Sequence, residues 1–167
     1  MLVIGIDPGT AITGYGLVRD TAESLELVAY GVIQTPAGMP LPQRLLLLHQ
    51  ELQRILLLHR PESGAVEKLF FQRNVTTAMS VGQARGVAML ALAEANLTIQ
   101  EYTPLEVKQA VAGYGNADKT QMQYMVRALL NLDEIPRPDD AADALAVAIC
   151  HLHSARVRQL YGQEPKT

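Results

Sequence analysis

At 167 residues, with 49% hydrophobic and 19% charged side chains, the chain is long enough for one globular core and too apolar to be disordered. A single cysteine, Cys150, excludes a disulfide framework, and apolar runs of only seven residues (87–93 and 144–150) exclude a membrane span of ordinary length. A net charge of −3 argues against a broad basic surface, and an N-terminus that lacks a basic segment and meets an acid at position 7 argues against a secretory signal, so a cytoplasmic location is expected.

Leu2 to Ile6 is a short apolar run with a turn signal, Asp7-Pro8-Gly9-Thr10, directly behind it, which predicts a buried strand. Gly14 to Val18 and Leu25 to Gln34 read as two more strands, and their connections are too short for crossover helices, so the three form an antiparallel meander. Thr35 to Pro42 is rich in breakers and reads as a loop. From Gln43 to His59, leucines recur at helical spacing until Pro61 and Gly64 interrupt the pattern. Ala65-Val66-Glu67 is a short strand, Asn74 to Asn96 a second helix, and Leu97 to Tyr102 a fifth strand. Thr103-Pro104-Leu105-Glu106 is a capping box with proline at the first helical position, and Gly113 and Gly115 end the helix it starts. Asp118 caps a further helix that reaches about Leu132. Asp140 to Arg158 is a last helix, dense in alanine on its first turns, which lets it lie close against a sheet. The order predicts an α/β fold, with a mixed five-stranded sheet (three antiparallel strands, then parallel ones) and helices on both faces. Residues 1–158 are expected to form one domain and 159–167 a short tail.

Four acids stand out by position. Asp7 ends the first strand and Glu67 the fourth, and strand ends are where α/β sites collect. Asp140 and Asp143 are three apart on the first turn of the last helix and share a face; Asp139, four residues from Asp143, competes with Asp140 on spacing alone. Clustered carboxylates repel unless a cation neutralises them, and oxygen-only ligands suit Mg²⁺ or Mn²⁺. Two such ions can activate a water and stabilise the departing 3′ oxygen of a phosphodiester. Each acid also has a plain structural use: a turn for Asp7, a strand-end surface position for Glu67, a helix cap or first turn for the pair.

The stretch Gly5-Ile6-Asp7-Pro8-Gly9-Thr10 with Thr13-Gly14-Tyr15-Gly16 resembles the opening of the RuvC family of Holliday junction resolvases. So do Glu67-Lys68-Leu69-Phe70 with Gly82-Gln83-Ala84-Arg85-Gly86, the run Gly113 to Lys119, and Asp140-Ala141-Ala142-Asp143-Ala144-Leu145-Ala146. These blocks occur in the family's order over about residues 1–155. The resemblance implies a ribonuclease H-like fold and a homodimeric crossover junction endodeoxyribonuclease acting in DNA recombination and repair. Such an enzyme cuts two opposing strands of a four-way DNA junction by paired symmetric incisions, leaving 5′-phosphate and 3′-hydroxyl ends. It also implies two Mg²⁺ or Mn²⁺ ions per subunit on Asp7, Glu67, Asp140 and Asp143, favours Asp140 over Asp139, and brings a RuvA–RuvB motor as partner. Some members carry histidine at the third acid; aspartate here implies an all-oxygen site.

Several residues are candidates for DNA contact. Lys68-Leu69-Phe70-Phe71-Gln72-Arg73 places aromatics between basic residues just after Glu67, and an exposed ring there would stack on or wedge between bases, a role the resemblance gives to Phe70. Lys119 at a helix start is a mildly unfavourable place for a cation; the family links this lysine and the one matching Lys108 to DNA binding or catalysis. Arg73 and Arg85 are further candidates for backbone contacts. Four acids neutralised by two divalent ions turn the net charge from −3 to +1, so salt-sensitive, metal-assisted binding is expected. Symmetric incision needs two centres and hence a two-fold dimer; Ala78, Gly82 and Gly86, at four-residue spacing, suit close packing against either a mate or the sheet.

Other signals fail on detail. Asp118 stands where a phosphate loop needs glycine before Lys119-Thr120, and Gly113-Tyr114-Gly115 lacks a third glycine. Cys150, His151 and His153 lack metal-site spacing. Two other functions fit parts of the pattern. An actin- or sugar-kinase-like ATPase would use Asp7-Pro8-Gly9-Thr10 on phosphate but needs a second lobe, and a branched-DNA binding module would leave the acids idle.

Overall fold

The computed structural model describes residues 1–68 and 75–161, so the expectations for Phe70, Phe71 and Arg73 lie outside the described residues. Strands β1 (Leu2–Asp7), β2 (Ile12–Asp20) and β3 (Leu25–Gln34) are followed by helix α1 (Leu41–His59), β4 (Ser63–Glu67), α2 (Val75–Glu94), β5 (Thr98–Tyr102), α3 (Pro104–Ala112), α4 (Lys119–Leu129) and α5 (Asp139–Tyr161). The strands form one sheet in the order β3-β2-β1-β4-β5. The β3-β2-β1 meander is antiparallel, and β1-β4-β5 run parallel.

Side chains on a strand alternate between faces, so one register decides which residues meet which helices. Leu2, Ile4 and Ile6 of β1 enter a core shared with Val66 of β4 and the helices α1 and α2. Val3 and Ala65 enter a second core with α3, α4 and α5. By the same parity Asp7 and Glu67 stand on the α5 side of the sheet.

The α5 helix packs directly on the central strands. Its buried residues, 141–142 and 144–152, pack across β1 and β2. A Cβ on Gly5 would collide with the Ala144 carbonyl, and one on Gly14 with the Asp140 carbonyl, so these glycines are notches that admit the helix backbone. His151 fixes its position along the sheet. Its Nε2 lies 2.9 Å from Ser63 Oγ on β4 and its Nδ1 2.9 Å from the Tyr102 hydroxyl on β5. Burial pushes His151 down to about 4, so the ring is neutral at physiological pH. His153 Nδ1 donates to the Ala110 carbonyl of α3 at 2.9 Å, and Cys150 is buried with its thiol pushed up to about 12 by that burial.

Element ends differ from the sequence expectation in ways local chemistry explains. Helix α1 begins at Leu41 because Pro42 is tolerated in a first turn, where its missing N–H has no partner to lose. Strand β2 extends beyond 14–18 at both ends, since Gly14 and Gly16 serve the packing of α5 and dilute the strand signal. Helix α5 starts at Asp139 and continues past Arg158 to Tyr161; the first glycine after it is Gly162. The capping boxes at Thr103/Glu106 and Asp118/Gln121 form as reciprocal pairs. Helix α2 turns Ala84, Ala88, Ala91 and Leu92 to the core. Gly82 and Gly86 face away from the sheet, with no described atom within 4 Å of where a Cβ would stand.

Candidate active site

Strands β1 and β4 are parallel neighbours, so Asp7 and Glu67 finish at the same edge of the sheet. Helix α5 starts over that edge, because the Gly14 notch holds the Asp140 backbone against β2 where Gly14 pairs with Asp7. Asp140 on its first turn and Asp143 at the start of its second thereby come to the acids of the strands. The electrostatics report the convergence. Burial, then the charges of Glu67, Asp143 and Asp140, push Asp7 up to about 7, against a downward pull from Lys119. Burial and the charge of Asp143 push Glu67 up to about 7, opposed by Lys108. Burial also holds Asp143 above the ordinary carboxylate value although Lys119 pulls it down.

An open pocket of about 220 Å³ lies beside these acids. Glu67, Asp143, Lys108 of α3 and Lys119 of α4 supply its polar lining, and Pro104, Val107, Met122 and Ala146 its apolar wall. Lys119 Nζ stands 3.5 Å from Asp143 Oδ2 and 3.2 Å from Asp139 Oδ2. The donor set at the strand ends is all carboxylate oxygen, which suits a hard divalent cation. As the side chains lie, no three acids among the described residues close around a single point.

The loop that follows Asp7 is pinned from three sides. Thr13 Oγ1 donates to the Gly9 carbonyl at 2.6 Å, Thr35 Oγ1 to the Thr10 carbonyl at 2.5 Å, and Thr10 Oγ1 to the Ser80 carbonyl of α2 at 2.7 Å. The Gly9 N–H is occupied by Thr13 Oγ1 at 3.2 Å, so the loop works as a fixed turn behind Asp7. These threonines were missed as site supports; their density around 10–13 and at 35 was the available signal.

The candidate DNA-contact residues separate. Lys108 and Lys119 join the pocket, and Lys68 is exposed immediately after Glu67. Arg85 is paired within the fold. Its guanidinium pairs with Glu101 of β5 at 2.7 Å and its Nε reaches the Glu67 carbonyl at 3.4 Å, which braces the end of β4 from the α2 side of the sheet. Asp139 is turned toward Lys119, Gln123 and Arg137, whereas Asp140 acts on Asp7. Spacing left those two acids open; in the fold Asp139 is the one held by ion pairs, and the charges of both fall on Asp143. Gln123 had no motif to announce it, and only its place one turn after Lys119 connects it to the site.

The sheet order, with acids at the ends of its central parallel pair and a helix start laid across them, defines a ribonuclease H-like protein of the nuclease class. The family model for crossover junction endodeoxyribonuclease RuvC matches residues 3–151. A crossover junction endodeoxyribonuclease RuvC of Desulfitobacterium hafniense is 59% identical over 162 residues, covering 97% of this chain and 98% of its own. The RuvC of T. thermophilus, solved in complex with Holliday junction substrate, is 40% identical with a TM-score of 0.89, covering 94% of this chain and 96% of that one. The yeast mitochondrial Holliday junction resolvase Ydc2, at 16% identity and a TM-score of 0.70 over 95% and 82% of the two chains, shares the fold. The chain belongs to the RuvC family, whose members are endonucleases acting on DNA.

Proposed function

We propose that the chain resolves four-way DNA junctions as a homodimer, making paired symmetric incisions that leave 5′-phosphate and 3′-hydroxyl ends. The observation that carries this reading is the placing of Asp7 and Glu67 at the ends of paired parallel strands, with the start of α5, which bears Asp140 and Asp143, laid against them and Glu67 and Asp143 lining one pocket. Burying repelling acids is unfavourable in an apo protein and useful in one that binds cations. These four carboxylates would hold two Mg²⁺ or Mn²⁺ ions. When bound, such ions supply an activated water and charge stabilisation at the leaving oxygen.

The chain's own residues do the rest. Lys119, at the pocket lip, meets the negative charge of the scissile phosphate, and Lys108 and Lys68 hold the flanking backbone. Phe70, in a segment outside the described residues, is assigned the wedge at the crossover and Arg73 a backbone contact, both by family likeness. Arg85 supports β4 through Glu101. Binding follows from the T. thermophilus relative, described in complex with junction DNA. The second subunit docks on the outward side of α2, where Met79 and Leu90 are 62% and 53% exposed beside Gly82 and Gly86. Family likeness also supports a RuvA–RuvB motor as partner, and no helix among the described residues is long and apolar enough to cross a membrane.

One incubation tests the reading: purified protein with an end-labelled synthetic four-way junction, with Mg²⁺ or Mn²⁺ and with EDTA. Nicked duplexes that a ligase can reseal are expected with metal and none with EDTA. Junction binding without cutting under every metal condition would leave only a binding module.

A further inference from the structure

Asp139 and Asp140 are adjacent acids at the start of α5, yet they face different partners. The charge of Asp140 falls on Asp7. Asp139 has both oxygens engaged by cationic or amide donors. Its Oδ1 accepts from Gln123 Nε2 at 2.9 Å and from Arg137 Nη1 at 3.1 Å, and its Oδ2 pairs with Lys119 Nζ at 3.2 Å. Gln123 is only 8% exposed and lies one turn beyond Lys119 on α4, so its amide is a fixed donor held by its own helix. The chain Gln123–Asp139–Lys119 thus runs from a buried anchor to an ammonium at the lip of the acid pocket.

We propose that Asp139 is a positioning residue: it fixes where Lys119 presents its charge and is not itself a cation ligand. The inference rests on the function proposed above and adds the residue that orients its lysine. A lysine has a flexible stem and a point charge, so a phosphate contact from a free lysine is spread over many rotamers. Asp139 confines the ammonium within 3.5 Å of Asp143 Oδ2, beside the acids that would face the scissile phosphate. Stability is a poor explanation for the arrangement. The Lys119 and Asp139 side chains are 55% and 42% exposed, and ion pairs that open to water contribute little to folding.

The test is single-turnover cleavage of a synthetic junction by the wild type, Asp139→Asn, Asp139→Glu, Lys119→Met and the Asp139→Asn/Lys119→Met double variant. Junction affinity, Mn²⁺ binding followed by electron paramagnetic resonance, and thermal unfolding are measured on each. Asp139→Asn is expected to cleave about tenfold more slowly, since a misplaced catalytic charge costs rate rather than binding. Its junction affinity, Mn²⁺ binding and unfolding temperature stay at wild-type values. Asp139→Glu recovers part of the rate, and Asp139→Asn adds no further loss once Lys119 is methionine. Gln123→Leu, which keeps the helix and removes the anchor, gives a smaller loss of the same kind. Wild-type cleavage by Asp139→Asn would overturn the proposal, as would an equal loss with and without Lys119, or Mn²⁺ binding weakened along with cleavage. A wild type that fails to cut would overturn the function proposed above instead.

Discussion

Asp7 shows what the site costs the fold. Burial and three neighbouring acids hold it up to about 7, so above that pH the folded protein carries a charge it would bear more easily unfolded. Asp7→Asn removes that charge at nearly constant shape. It is expected to raise the unfolding temperature at pH 8, by the equivalent of about 1–3 kcal/mol, while cleavage is lost. Millimolar Mg²⁺ or Mn²⁺ should stabilise the wild type and leave Asp7→Asn little changed, because only the wild type keeps the full ligand set. Differential scanning calorimetry with and without the ion checks both. Sequence alone made Asp7, Glu67 and Asp143 legible as candidates, because strand ends and a helix start are positions where charge is informative. It left Asp139 and Asp140 undivided, because their roles depend on which way each side chain turns. It did not show that Arg85 pairs with Glu101 sixteen residues later, which is a matter of tertiary packing.

At the scale of elements, α5 is the part on which the site depends. Its alanine-rich start was readable as a close-packing surface, and the antiparallel meander followed by parallel strands was readable from short connections and alternating elements. The two notches were not: Gly5 and Gly14 look like ordinary strand or turn glycines until the helix backbone is seen against them. Gly14→Ala forces a methyl group toward the Asp140 carbonyl, and the predicted outcome is a loss of about 1–3 kcal/mol in denaturant unfolding. Junction cleavage falls further than stability does, because the displaced residues carry the acids. His151 gives α5 a dependence on pH with a definite sign. Its pKa is about 4 folded and 6.5 when exposed, so the unfolded chain binds the extra proton. The stabilisation is complete above pH 6.5 and is lost as the pH falls toward 4, by about 3 kcal/mol for this group. Asp7 and Glu67, whose folded values are raised, act in the opposite direction over pH 4–7. The comparison is therefore between proteins: His151→Gln should show a shallower acid destabilisation than the wild type in urea titrations at pH 4.5 and 7, and equal slopes would remove His151 from the account.

For the whole molecule, one chain carries one set of carboxylates, and two incisions require two chains. The small-residue spacing of α2 was visible in the sequence but could equally have served the sheet; in the fold, Ala84 and Ala88 pack inward while Gly82 and Gly86 look outward. If the proposed dimer forms through that face, a charge there separates its subunits. Leu90→Glu is expected to sediment as a monomer, to keep its fold and to lose paired incision; a Leu90→Glu protein that sediments and cuts like the wild type would move the interface elsewhere. Above all, four acids drawn from β1, β4 and α5 must act as one cutting centre. The most direct measurement is the single-turnover rate on a fixed four-way junction for Asp7→Asn, Glu67→Gln, Asp140→Asn and Asp143→Asn, each with its junction affinity. Every variant should bind within about threefold of the wild type and cut at least about a thousandfold more slowly, the scale of loss when a part of an electrostatic centre is removed. An amide variant that binds and still cuts at the wild-type rate would contradict the account.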